Sequence, residues 1–111
     1  MSSVKMERDI LVFMDRAVSD ARIGPAHISL YMAIRCCWLR QGGGGPVLFT
    51  ARELMPVAKI GGGTLFHQCL KQLHSYGYLV YEPSFNPAVK SKAYLILEEA
   101  NAEVGQGVGV Q

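Results

Sequence analysis

What this sequence lacks first is a long apolar run. The longest near the start, Ile10 to Met14, is closed by Asp15 and preceded by Glu7, Arg8 and Asp9. A membrane helix or secretory leader does not tolerate that charge pattern. The expectation is a soluble, cytoplasmic chain with no membrane partner. Cysteine is scarce too: Cys36, Cys37 and Cys69 are an odd number and hold no CxxC pair, which argues against a disulfide framework or a zinc ribbon. Cys36 and Cys37 fall inside a helical pattern, where small apolar residues pack well. Neither glycine run, Gly42–Gly45 or Gly61–Gly63, is followed by Lys-Ser or Lys-Thr or preceded by the strand that a nucleotide fingerprint needs. His67 and His74 share a helix face without further metal ligands nearby. With no paired carboxylates and no nucleophile elbow either, the sequence reads as a non-enzyme without a cofactor.

What is present is one domain's worth of chain, 111 residues and half hydrophobic, enough for a single core. The net charge is only +2, but it is unevenly placed. Residues 50–92 carry five Lys or Arg (Arg52, Lys59, Lys71, Lys90, Lys92) against Glu53 and Glu82, whereas from residue 93 onward there are three acids and no base. A local basic excess marks the surface that would face an anionic partner.

Periodicity predicts the order of elements. Residues 6–20 form a first helix, with Ile10, Phe13, Met14, Ala17 and Val18 in an apolar stripe; residues 1–5 precede it as a flexible N-terminus. Pro25 opens a second helix through residue 41, whose apolar positions Ile28, Tyr31, Met32, Ile34, Cys37, Trp38 and Leu39 are too many for one stripe. Such a helix is central to a core or shared with a second subunit. After the Gly42–Gly45 loop, Val47-Leu48-Phe49 reads as a short strand. Thr50 and Glu53 make a capping box that opens a short helix ending between Pro56 and Ala58. The next helix, about Thr64–Tyr76, turns Phe66, Cys69, Leu70 and Leu73 inward and Thr64, His67, Gln68, Lys71, Gln72 and Ser75 outward. Gly77 stops it. Strands at 78–82 and 93–97 flank a loop at 83–92 with two prolines and a basic end. Residues 99–111 read as a glycine-rich disordered tail.

This order is that of a winged helix-turn-helix, an α+β domain over residues 6–98 with a helical core and a small antiparallel β-wing. From residue 22 to 97 the chain resembles small bacterial winged-helix proteins, many associated with conjugative or mobilisable elements. The stretches that carry the likeness are "GPAHISLYMAI" (24–34) and "AKIGGGTLFHQCLKQLHSYGYLVYEPSFNP" (58–87). The resemblance implies a role in transcriptional control or element maintenance. This chain departs from that pattern at Gly62, Gly63 and Leu65, where relatives carry small polar, basic or hydroxyl residues.

The expected partner is double-stranded DNA, with a homodimer through helices 6–20 and 25–41 as the symmetric unit. The helix-turn-helix, about 51–76, offers Arg52 and Lys59 before its second helix. Gly62, Gly63, Thr64 and His67 stand where that helix begins, and Gln68, Lys71 and Gln72 follow on its outer face. Exposed N–H groups at a helix start bond phosphate whatever the side chains, and Gln and Lys suit base edges. The wing, about 83–92, adds Lys90, Ser91 and Lys92 as backbone contacts. The alternative is a winged-helix protein-interaction module that has given up base reading, as the bare Gly61–Gly63 run suggests.

Overall fold

The computed structural model describes the backbone of residues 2–96 and the side chains of Glu7 to Ile96. The tail predicted at 99–111 lies outside the described residues, as does the end of the strand predicted to reach residue 97. The described chain is α+β, with four helices and one three-stranded antiparallel sheet. It divides into a unit of residues 23–96 and a second one that contains the first helix.

That first helix, α1, spans Ser2–Val18, starting earlier and ending sooner than the predicted 6–20. Asp9, Phe13 and Ala17 repeat every fourth residue and are buried, whereas Leu11 and Val18 are exposed. The helix stops where Asp20 turns back: its carboxylate accepts bonds from both the backbone N–H and the guanidinium of Arg22.

In the larger unit, α2 (Pro25–Arg40) is the central element. Gly24 is its N-cap and Pro25 its first residue. His27 does what Glu does in a capping box, its Nδ1 accepting the Gly24 N–H at 3.0 Å. Leu30, Tyr31, Ala33 and Ile34 are buried, and so is Arg35, 1% exposed with its guanidinium 5.0 Å from the centre of the Trp38 ring. Sequence periodicity did not mark Arg35 as interior. Leu39, counted among the apolar positions, is 41% exposed.

Strand β1 (Val47–Phe49) leads into α3 (Ala51–Ala58) through the Thr50–Glu53 capping box, present in both directions. Pro56 lies inside α3. The Ser29 hydroxyl donates to the Ala58 carbonyl, fastening the end of α3 to α2. After Lys59–Gly62 comes α4 (Gly63–Ser75), with Phe66, Cys69, Leu70 and Leu73 buried as predicted. Truncating Leu70, fully buried, to Ala carries a cost of about 2–5 kcal/mol.

Strands β2 (Leu79–Glu82) and β3 (Ser91–Leu95) complete the sheet, in the order β1-β3-β2. Val47 pairs with Ala93 and Ala93 with Tyr81, which sets Phe49 stacked near Tyr81 on the inner face. Both outer edges are partly closed by side chains. The Gln41 amide bonds the N–H and C=O of Leu48 on β1, and His74 Nδ1 accepts the Tyr81 N–H on β2.

Three helices end in the same way. In each, the N–H of the residue after a left-handed one reaches back five residues, a Schellman ending. These bonds are Gly43 to Trp38, Ile60 to Met55 and Tyr78 to Leu73. The left-handed residues are Gly42, Lys59 and Gly77; the middle one is not glycine.

Candidate functional site

The site is built on the exposed side of α4. Burying Phe66, Cys69, Leu70 and Leu73 on one face fixes the rotation of the helix, which leaves Thr64, His67, Gln68 and Lys71 exposed on the other. With Gly63 these four residues line a shallow, open depression. No acid stands on α4, and the segment from Ala51 to Tyr76 carries Arg52, Lys59 and Lys71 against Glu53. His67 is held in place: its Nδ1 is 2.9 Å from the Gly63 carbonyl and its ring lies edge-on to Phe66. A carbonyl oxygen only accepts, so Nδ1 carries the proton and donates it.

Ahead of the depression, Gly61, Gly62 and Gly63 are exposed, and a Cβ built on any of them would meet nothing within 4 Å. Gly62 has φ −106° and ψ 132°, ordinary extended backbone. Neither crowding nor dihedral angle demands glycine here. The consequence is an accessible backbone at the start of α4, where the first N–H groups of a helix have no intrahelical acceptor. Arg52, in the first turn of α3, and Lys59, in the turn that follows it, are exposed.

Four of the sequence-derived candidates are placed otherwise. Gln72 does not share the outward face. It is half-buried, and its Oε1 lies 2.7 Å from Nε2 of His27, so it joins α4 to the start of α2. Because His27 Nδ1 already accepts from Gly24, its proton sits on Nε2 and is donated to Gln72. The predicted basic wing is shorter and less basic: the loop spans 83–90, and Ser91 and Lys92 belong to β3. The Ser91 hydroxyl accepts the Ser84 N–H. Lys92 is half-buried and registered between Leu48 and Glu82. Lys90 reaches back to α3, its Nζ 3.0 Å from Glu53 Oε2. That bond, with the N–H of Thr50, holds the Glu53 carboxyl below its ordinary value. The loop tip itself has no charge and presents Phe85, 92% exposed, above a turn closed by Ser84 and Asn86.

The cysteines divide by position. Cys69 is buried, and burial pushes its thiol up. Cys36 is exposed rather than packed inside the helix as its neighbourhood suggested. Cys37 is half-buried; burial, and next the Glu53 carboxylate, push its thiol up, leaving it a poor nucleophile at neutral pH. Among the described residues no group of three His, Cys, Asp or Glu is placed to hold a metal, and no helix is long and apolar enough to cross a membrane.

No family model, curated protein or solved structure matches the chain.

Proposed function

We propose that the chain is a winged-helix DNA-binding protein acting as a transcriptional regulator, with α3 and α4 as its helix-turn-helix and α4 as the helix that enters the major groove. The observation that carries this reading is the exposed polar and basic row of α4, free of acids, beside a helix start bared by three glycines that the fold does not require. The element order, with a short strand before α3 and a β-hairpin after α4, supports the same reading. Phosphate is held by the N–H groups around Gly62 and Gly63 and by Arg52 and Lys59. Sequence preference comes from Thr64, Gln68 and Lys71, Gln matching adenine edges and Lys guanine edges or phosphate. Lys90, Ser91 and Lys92 contribute less than a free basic wing would. A dimer through α1 and α2 supplies the two-fold symmetry of an inverted repeat; the exposed Leu11, Val18 and Leu39 on these helices agree with it.

The test is fluorescence anisotropy against the DNA flanking the gene and a scrambled duplex, across a salt series. Specific binding with log K falling by roughly 0.9 per phosphate contacted is expected. Lys71→Ala lowers affinity and relaxes sequence preference, and it flattens the salt slope by about one if Lys71 meets phosphate. Unchanged affinity and preference in that variant would remove Lys71 from the interface.

One observation favours a second reading, a protein-interaction module. Phe85 stands almost fully exposed on an uncharged loop tip whose turn is held by its own hydrogen bonds. Aromatic side chains presented in this way anchor protein interfaces. Absence of binding to either duplex at low salt, with Phe85→Ala disrupting a protein complex, would replace the first reading by this one.

A further inference from the structure

The charges around Cys37 belong to a cleft of which the DNA-binding reading uses Lys90 alone. It measures about 260 Å³ and lies between the C-terminal half of α2, α3 and the root of the β2–β3 loop. Its floor is apolar, made by Ala33, Phe49 and Leu54, all buried. Its rim carries Arg40, Glu53 and Lys90. The volume falls just under the roughly 300–1,000 Å³ of drug-sized sites, so the ligand it suits is a small one.

Charge decides which kind. Lys90 and Glu53 neutralise one another across 3.0 Å, whereas Arg40 has no ion-pair partner among the described residues. An uncompensated guanidinium above an apolar floor matches an anion with an apolar body. A neutral ligand leaves Arg40 unused, and a second carboxylate on the ligand meets Glu53. We propose that this cleft binds a small monocarboxylic acid, its carboxylate against Arg40 and Lys90 and its hydrocarbon body on Phe49 and Leu54. Cys37 lines the same space as Arg40, Glu53 and Lys90.

Such a ligand competes with Glu53 for Lys90, whose ion pair joins the β2–β3 loop to α3. Occupancy therefore loosens that loop from the helix-turn-helix and changes DNA affinity. This coupling rests on the DNA-binding reading; the site itself does not.

The experiment uses the full chain with Cys36→Ser, so that Cys37 is the thiol opening on the cleft, and hexanoate as the probe with 1-hexanol as its neutral counterpart. Alkylation of Cys37 by iodoacetamide, followed by mass, is expected to slow at least fivefold in hexanoate and to be unaffected by hexanol. Titration shifts of the Leu54 and Val57 amide resonances read the same site without a thiol. Arg40→Gln weakens hexanoate at least tenfold, and Arg40→Lys recovers part of the loss. Equal effects of hexanoate and hexanol, no resonance shift, or indifference to Arg40→Gln overturn the site. Hexanoate binding in a protein that binds no duplex keeps the site and removes only the coupling; duplex binding without hexanoate binding removes site and coupling together and leaves the DNA-binding reading standing.

Discussion

The two glycine runs answer different demands. In the loop after α2, Gly42, Gly43 and Gly45 have φ of 109°, 74° and 69°, a region other residues enter at a cost. Before α4, Gly61 to Gly63 have ordinary dihedrals and open space around them. Between the two runs stands Lys59, at φ 61°, a side chain in the left-handed position that glycine fills at the ends of α2 and α4. The chain thus carries a side chain where the backbone disfavours one and omits three where the backbone allows them. The first run serves the turn. The second exposes main chain at the start of α4, and Lys59 keeps a cation next to it. Conformational need and surface chemistry have been separated within the 22 residues from Gly42 to Gly63, so substitutions at the two runs should affect different measurements.

The largest expected effect follows from adding charge to the second run. Gly62→Glu places a carboxylate in open space at the start of α4, where an acid is favourable for the helix itself. Thermal stability is expected to stay within about 0.5 kcal/mol of the parent, as for other surface changes. DNA affinity is expected to fall about a hundredfold, because the new charge meets phosphate where backbone N–H groups were to bind it. Retained affinity would separate the second run from any phosphate contact and shift the balance toward the interaction-module reading.

The converse change is Gly42→Ala. At φ 109° an alanine is strained whatever the space around it, at a cost of roughly 1–2 kcal/mol. Denaturant unfolding should show that loss at an unchanged m-value, and DNA affinity should not move. A variant of parental stability would mean that the α2–β1 loop relaxes to another turn, and the contrast between the runs would lose its first half.

The contrast also explains what could be read from the sequence. Local signals were legible: the Thr50–Glu53 box, the Gly77 stop, Pro25 at a helix start and the inward face of α4 all depend on residues a few positions apart. The left-handed residue before α4 was not, because glycine is the usual marker of such a position and here it is Lys59. Partners distant in sequence were also out of reach. Lys90 meets Glu53 across 37 positions and His27 meets Gln72 across 45, and no periodicity reports such pairs. Two expected DNA contacts thus become fastenings of the fold. For Ser91 and Lys92 the misreading was one of register: β3 begins two residues before the apolar run that announced it.

Lys59→Gly sharpens the comparison at its middle term. Removing the Cβ from a left-handed position should raise stability by about 1 kcal/mol, since the Ile60 and Lys59 N–H bonds of the helix ending are retained. The same change deletes a cation beside the bare glycines, and DNA affinity should drop modestly with a shallower salt dependence. Gain in one measurement and loss in the other would show that this side chain is kept against the preference of the backbone. A gain without loss would leave Lys59 unexplained by DNA.

The smallest effect concerns the tie between α3 and the β2–β3 loop. Glu53 Oε1 accepts the Thr50 N–H and its Oε2 accepts from Lys90, and the Lys90 bond is the larger cause of its lowered carboxyl. A carboxyl lowered by folding stabilises the fold above its ordinary value of 4.5 and loses that contribution as pH falls through the folded value. Both side chains are about half exposed, so solvent screens the pair and the contribution is small. Glu53→Gln retains an acceptor for Thr50 but has no charge for Lys90. Its melting temperature should lie slightly below the parent's at neutral pH, with the gap closing below pH 4.5. A gap that is constant with pH would assign the loss to the helix cap and leave the loop held by the hydrogen bonds of Ser84, Asn86 and Ser91 rather than by charge.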